Sequence, residues 1–316
     1  MRRAVVSWIA VGILFVTACV LSVIALNADL YSAGGFVRSY LDALDRRDAA
    51  AALAMPGVVA DNSEALLTDA ALGGLGDIRI ISDTRSANGT HIVVAGVTLD
   101  SGPIRTTFEL EPLAAHLGLF STWRFSTSPL ATLAVSASGD DTVSVNDEQL
   151  ALTGDDDHLV FVPGVYRLDR ESAWLEATDL SVAVTTVGTV TDATLEIRAN
   201  AAFRAAASRQ ITATLDECAE QQVLQPGGCP FGRVVDDRVA GTVRWSIAEY
   251  PVVTLSPGEN PGKWTATAAQ GRAALEVPVQ SLFTGKRSRL DATVSISASY
   301  DILLSDDNTF TIGPAG

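Results

Sequence analysis

Two cysteines carry the clearest chemistry in the chain. Cys218 and Cys229 stand with ten residues between them in DECAEQQVLQPGGCPFG, where Pro226-Gly227-Gly228 lets the segment turn back. The spacing is not that of a C-x-x-C redox pair, and no histidine stands close enough to complete a zinc site. A structural disulfide is the expectation, and closing a loop of this length stabilises by roughly 2–3 kcal/mol in the chain-entropy treatment. Asp83, His91, Asp100, Glu109 and His116 are of types that perform acid–base chemistry. None has a diagnostic spacing, and solvated strand ends are the expected role. Asp155-Asp156-Asp157-His158 and Asp306-Asp307-Asn308 lack the alternating ligands of a calcium loop and read as acidic turns. Gly258-Glu259-Asn260-Pro261-Gly262-Lys263-Trp264 lacks one spacer of a nucleotide-binding loop, and Trp264 stands where a magnesium-binding hydroxyl is needed. It reads as a Pro-Gly turn. There is no G-x-S-x-G elbow and no S-x-x-K motif, since Asn260 and Phe283 stand three residues before the two lysines. The 37 acidic residues allow many carboxylate pairs, with no distances to choose among them. The sequence therefore assigns no catalytic, cofactor-binding or metal-binding residue. Lys286-Arg287-Ser288-Arg289 is the one basic cluster, in a turn after Gly285. Lys286, Arg287 and Arg289 are possible contacts for an anionic wall polymer or lipid headgroups, or a charged loop guarding a strand edge.

The elements that must carry these residues begin with an apolar stretch. After Arg2 and Arg3, residues 4–26 (AVVSWIAVGILFVTACVLSVIAL) run without a charge. At 1.5 Å per residue such a stretch crosses a hydrocarbon layer of about 30 Å, and the two arginines favour a cytoplasmic N-terminus. Ser7, Thr17 and Ser22 are small enough to bond back to their own helix. A cleaved signal peptide has a shorter apolar segment. Val16-Thr17-Ala18-Cys19 resembles a bacterial lipobox with Cys19 as the acylated residue, although Val20 to Leu26 stays apolar after it. A single-pass span at 4–26 is the preferred expectation, and each alternative also delivers residues 27–316 to an extracytoplasmic space that permits a disulfide.

Of the 316 residues, 47% are hydrophobic, enough for several cores and against disorder as the dominant state. Beyond residue 26 the chain holds 20 basic and 37 acidic groups, −17 net. That balance excludes nucleic acid as a general partner.

The exterior part divides into three expected domains. In 30–128, FVRSYLDALDRRDAAAALAM gives a helix with the stripe Phe36, Val37, Tyr40, Leu41 and Leu44. Asp48 caps a second short helix, Ala49 to Met55, stopped at Pro56-Gly57. Asp61 with Glu64 reads as a capping pair for a helix holding Leu66, Leu67 and Ala70. Four strands follow, with Asn88-Gly89 as a hairpin turn. Residues 130–187 read as a small all-β module of short alternating segments. In 188–316, Phe203, Ala207, Ile211, Leu215 and Cys218 predict a helix from about Asn200 to Gln221 with Cys218 on its buried face. After it, period-two runs at 243–247, 264–268, 275–279 and 290–300 predict an antiparallel sheet. The fold class is α+β.

The helix FVRSYLDALDRRDAAAALAM, followed by a capped helix and hairpin strands, resembles the nuclear transport factor 2-like cone fold over 30–128. That resemblance implies a pocket, which holds acid–base residues in enzymatic members, and no particular activity. The series of anchor, cone domain and β-rich modules is similar to uncharacterised cell-envelope proteins of high-GC Gram-positive bacteria, and 20 arginines against two lysines fit such coding. A more distant, architectural likeness is to teicoplanin-resistance-associated membrane proteins. Those often carry a cytoplasmic zinc ribbon, for which the three residues before the apolar stretch offer no counterpart. The expectation is a non-catalytic, membrane-anchored envelope module that binds a partner protein or wall component. The alternatives are an enzyme with its site in 30–128, or a lipoprotein anchored at Cys19.

Overall fold

The computed structural model describes residues 2–60, 65–115, 119–153, 156–305 and 307–315. Helix α1 (Arg2–Ala28) comes first, then α2 (Ala33–Asp45) and α3 (Ala49–Leu53). Strands β1 (Gly76–Arg85), β2 (His91–Leu99), β3 (Gly102–Pro112) and β4 (Trp123–Phe125) follow. Next are β5 (Leu130–Ser138), β6 (Thr142–Val145), β7 (Glu148–Ala151), β8 (Asp157–Phe161) and β9 (Gly164–Asp169). Then come β10 (Leu175–Ala177), β11 (Leu180–Val184) and β12 (Val190–Ala199), and helix α4 (Ala201–Glu220). The chain closes with β13 (Arg238–Val239), β14 (Arg244–Glu249), β15 (Val252–Pro257), β16 (Lys263–Gln280), β17 (Arg287–Leu304) and β18 (Phe310–Pro314). The architecture is α+β, and every strand pairing with a described register is antiparallel.

By contact the chain divides into two compact units. The first is Met1–Ser136 with Thr142–Asp169 and Asp179–Leu195; the second is Ala137–Asp141, Arg170–Thr178 and Glu196–Gly316.

In the first unit α2 starts at Ser32, whose hydroxyl accepts the Gly35 N–H at 2.9 Å and satisfies one orphan donor of the first turn. A Cβ on Gly35 would stand 2.3 Å from the Asp29 carbonyl, so only glycine lets the chain turn this tightly out of α1. The stripe Val37, Tyr40, Leu41 and Leu44 is buried against the sheet β1-β2-β3-β4, with Phe36 half-buried beside it. Tyr40 meets Phe108 and Phe125 edge-on at 5.9 and 5.2 Å. Its hydroxyl shares one hydrogen with the Pro129 and Val162 carbonyls at 3.0 and 3.1 Å, and burial pushes its pKa well up. The same core takes in Leu130, Phe161 and Val165, so it draws on residues from both 30–128 and 130–187. The unit also holds the sheet β11-β9-β6-β7, and β8 with β5 as far as Ser136 and β12 as far as Leu195.

The second unit is organised on β16 and β17, eighteen residues each and paired along their length. One edge of β16 carries β13, β14 and β15 in turn, and the outer edge of β17 carries β18. Asn200 caps α4 by accepting the Phe203 N–H at 2.9 Å. Phe203, Ala207, Ile211, Leu215 and Cys218 form the buried face. Phe203 sits among Trp174, Trp264 and Phe310 with ring centroids 5.3–5.9 Å away.

Two sequence expectations need correction. Leu66, Leu67 and Ala70 lie in turns and not in a helix, while the capping pair Asp61 and Glu64 lies outside the described residues. Side chains here bond to other elements: Asp69 accepts the Ala49 N–H at 2.8 Å and Thr68 donates to Glu148 at 2.9 Å, which competes with a helical ladder. The runs at 264–268 and 275–279 belong to one strand. Buried positions fall on even numbers from Trp264 to Ala268 and on odd numbers from Gly271 to Val279. A bulge between Ala268 and Gly271, with Gln270 at φ 66°, absorbs the extra residue and keeps both runs on one face.

Among the described residues no single helix is long and apolar enough to cross a membrane; Gly12–Ala28 and Ala33–Asp45, bent by 56°, meet that test only together.

Candidate functional site

The hairpin of β1 and β2 brings Asp83 and His91 together. Arg85 faces His91 and Asp83 faces Val93 across the ladder, so Asp83 and His91 are diagonal neighbours on the face that also carries buried Val93. His91 Nδ1 and Asp83 Oδ1 are 2.6 Å apart, and the side chains keep 19% and 27% of their surface. A carboxylate only accepts, so Nδ1 is the donor of this bond, which leaves Nε2 as the ring's other nitrogen to face a partner. Asp83 Oδ2 accepts the Gly34 N–H at 3.2 Å in the first turn of α2. One carboxylate thus ties a histidine to a helix N-terminus, where negative charge is favoured. Trp123 of β4 closes on the imidazole edge-on at 4.6 Å.

An imidazole held at Nδ1 by a carboxylate is the geometry of a general base acting through Nε2. Among the described residues, no serine, threonine or cysteine hydrogen-bonds the ring. Of the other acid–base candidates, Glu109 stands on the opposite face of β3, beside Arg105 and Thr107. Asp100 makes an exposed ion pair with Arg167 at 3.4 Å. His116 lies outside the described residues. Of the four described candidates the structure thus unites two, Asp83 and His91. A cleft of about 310 Å³ is lined by Arg105, Thr107, Glu109, Thr127, Thr185 and Thr186, and one of about 250 Å³ by Arg47, Asp100, Asn146, Asp147 and Arg167. In the second cleft both guanidinium groups face carboxylates at 3.4 Å, which removes a net field for an anion.

Close to this pair the foot of α1 is fastened to the first unit. Asn27 donates from Nδ2 to the Leu119 carbonyl at 2.8 Å and accepts the Ser121 N–H at 2.9 Å. Trp123 donates to the Tyr31 carbonyl at 2.9 Å, and Tyr31 packs on Phe120 at 4.6 Å. Sequence reasoning missed this clasp, since its partners are about ninety residues apart and no local period marks them. Further up α1, Thr17 and Ser22 donate to the carbonyls of Ile13 and Ala18 at 2.8 and 2.9 Å. Cys19 is an exposed free thiol.

In the second unit Cys218 and Cys229 form a disulfide with Cα atoms 5.8 Å apart, as the sequence predicts. Gln221 closes the stapled loop by accepting the Gly227 N–H, and Trp245 donates to the Val223 carbonyl at 2.8 Å. The Gly258–Trp264 segment is a turn, with Gly258 and Lys263 bonded across it and Trp264 buried. Asp307 accepts from both the N–H and the hydroxyl of Thr309, which holds its carboxyl below the usual range; Asp155 and Asp306 lie outside the described residues. Arg289 bonds Glu276 at 2.5 Å and Asp291 at 2.7 Å, while Lys286 and Arg287 stay exposed. Among the described residues no group of three His, Cys, Asp or Glu side chains could hold a metal ion. Compared with known protein families, curated proteins and solved structures, the chain matches none.

Proposed function

We propose that this chain is a membrane-anchored, extracytoplasmic module that binds or spaces components of a cell envelope without catalysing a reaction. The observation that carries the reading is the surface of α1. Trp8, Ile13, Leu14, Phe15, Val16 and Leu21 are all at least 60% exposed, in a helix within which residues 4–26 carry no charge. Contiguous apolar surface of this kind demands a cover, and a hydrocarbon layer fits a helix whose Thr17 and Ser22 hydroxyls are bonded to its own backbone. The apolar face of α2 is buried in the first unit, which leaves α1 as the limb that enters lipid. Arg2 and Arg3 favour a cytoplasmic N-terminus, and the Cys218–Cys229 bond fits an oxidising exterior. The four-stranded antiparallel sheet covered by α2 supports the likeness of 30–128 to nuclear transport factor 2-like domains. The carboxylate that orients His91 also caps α2, which favours a structural role for the pair.

Alkaline carbonate extraction of membranes from cells making the full chain tests the anchor. Retention in the pellet is expected, and release into the supernatant contradicts it. A second reading, an enzyme at the Asp83–His91 pair, is favoured by their 2.6 Å bond. It predicts a hydrolytic activity of the full chain that Asp83→Ala and His91→Ala each abolish while the protein stays folded.

A further inference from the structure

The turn joining β16 to β17 exposes two large apolar side chains at its tip. Phe283 keeps 98% of its surface and Leu282 keeps 73%, while Lys286 and Arg287 beside them are exposed cations. The backbone under them is fixed. Ser281 Oγ accepts the N–H groups of Phe283 and Thr284 at 3.3 and 3.2 Å, and the Ser281 carbonyl accepts that of Gly285 at 2.9 Å. The Ser281 N–H reaches the Lys286 carbonyl at 2.9 Å, the Lys286 N–H the Thr284 hydroxyl at 3.4 Å, and the Leu282 N–H an oxygen of Asp237 at 3.2 Å. Every backbone donor from Ser281 to Lys286 is thus satisfied, five within the turn and that of Leu282 by Asp237. Gly285, at φ 71°, supplies the left-handed residue that closes it.

An apolar medium punishes unpaired backbone donors, and this tip presents none. Two apolar side chains held outward on a convex, ordered tip have no groove of their own to fill. The adjacent ammonium and guanidinium groups suit an anionic surface around the insertion point. Asp237 is held by the turn, and Arg289 is already neutralised by Glu276 and Asp291. We infer that the 281–287 tip is a lipid-docking site that inserts Leu282 and Phe283 into a bilayer while Lys286 and Arg287 contact anionic headgroups. An anionic wall polymer would satisfy the cations and leave the two apolar side chains in water, so lipid is the occupant the tip fits. This adds a second lipid contact, distinct from the one proposed for α1.

The test uses the full chain with Cys19→Ser and Thr284→Cys, its disulfide intact, and a polarity-sensitive nitrobenzoxadiazole label on the new thiol. The chain is held in phosphatidylcholine nanodiscs and titrated with vesicles of phosphatidylcholine alone or with 30% phosphatidylglycerol. Co-elution with the disc scores the α1 anchor separately. A blue shift, quenched by nitroxide lipids and stronger with phosphatidylglycerol, is the expected result. Adding Leu282→Ser and Phe283→Ser, which disturb no packed core, should weaken the vesicle response at least about tenfold. Lys286→Gln with Arg287→Gln should remove its dependence on phosphatidylglycerol. Water-like emission at every lipid composition overturns the inference. So does a double serine variant that titrates like its parent, or a response to soluble poly(glycerol phosphate) with none to vesicles.

Discussion

Replacing Asp83 by alanine separates a structural pair from a catalytic one. The substitution removes two interactions at once. The hydrogen bond to His91 is charge-assisted, worth about 1.5–3 kcal/mol, and belongs at the lower end because the side chains keep 19% and 27% of their surface. The cap on the Gly34 N–H contributes about another 1 kcal/mol. Asp83→Ala should therefore destabilise the first unit by about 2–3 kcal/mol, or roughly 5–10 °C in Tm for a unit of this size. His91→Phe keeps a ring against Trp123 and leaves Asp83 on Gly34, so it should lose only the histidine bond, about 1–2 kcal/mol. The double variant should resemble Asp83→Ala, giving a coupling energy of about 1 kcal/mol or more between the two sites. Differential scanning calorimetry of the full chain in detergent reads the transition of each unit. A coupling energy indistinguishable from zero, or Asp83→Ala costing no more than His91→Phe, would refute the reasoning that one carboxylate serves both partners.

Three further outcomes follow from the same structure. Cys218→Ser with Cys229→Ser should lower the second unit by about 3 kcal/mol and leave the first unchanged, because the bond closes a loop of sequence separation 11 within one unit. His158 on β8 has two buried ring nitrogens without a hydrogen-bond partner among the described residues; burial lowers its pKa, and the charges of Asp156 and Asp157 oppose the shift. The unfolded chain then takes the proton first, so stability should decline as pH falls below about 6.5. His158→Leu should flatten that decline in thermal melts between pH 7.5 and 5. Deleting Gln270 should retain the calorimetric transition of the second unit, because Ala268 faces Ala298 and Gly271 faces Ile296, so losing the one extra residue sets 264–268 and 271–279 in a single alternation; loss of that transition would contradict the bulge. Gln270→Gly should retain that transition, because glycine accepts the φ of 66° without steric cost.

Local patterns made the helices and hairpins readable. The stripe from Phe203 to Cys218 matches the buried face of α4 residue for residue, because an amphipathic helix writes its packing at a period of 3.6. The cap at Asp48, the turn at Asn88-Gly89 and the disulfide were readable for the same reason, each being a short-range constraint. The bulge at Gln270 was not, since a phase change within an alternating run looks like the end of one strand and the start of another. Nor were the turns at 65–71, where capping by Asp69 of α3 outweighs a helical pattern. The Asp83–His91 contact depends on the register of a hairpin, which composition does not fix until the turn is placed. The outward side chains of Leu282 and Phe283 follow from a turn closed by Ser281 and Gly285, and hydropathy alone reads such a pair as part of a strand.

The central claim, that α1 is embedded with the following units outside the cytoplasm, is tested most directly by thiol topology in intact cells. The full chain with Cys19→Ser and a cysteine at the exposed Thr284 would be treated with a membrane-impermeant maleimide before and after lysis. The account predicts full labelling before lysis, with none added by breaking the cells. Labelling only after lysis would place the second unit in the cytoplasm and contradict it.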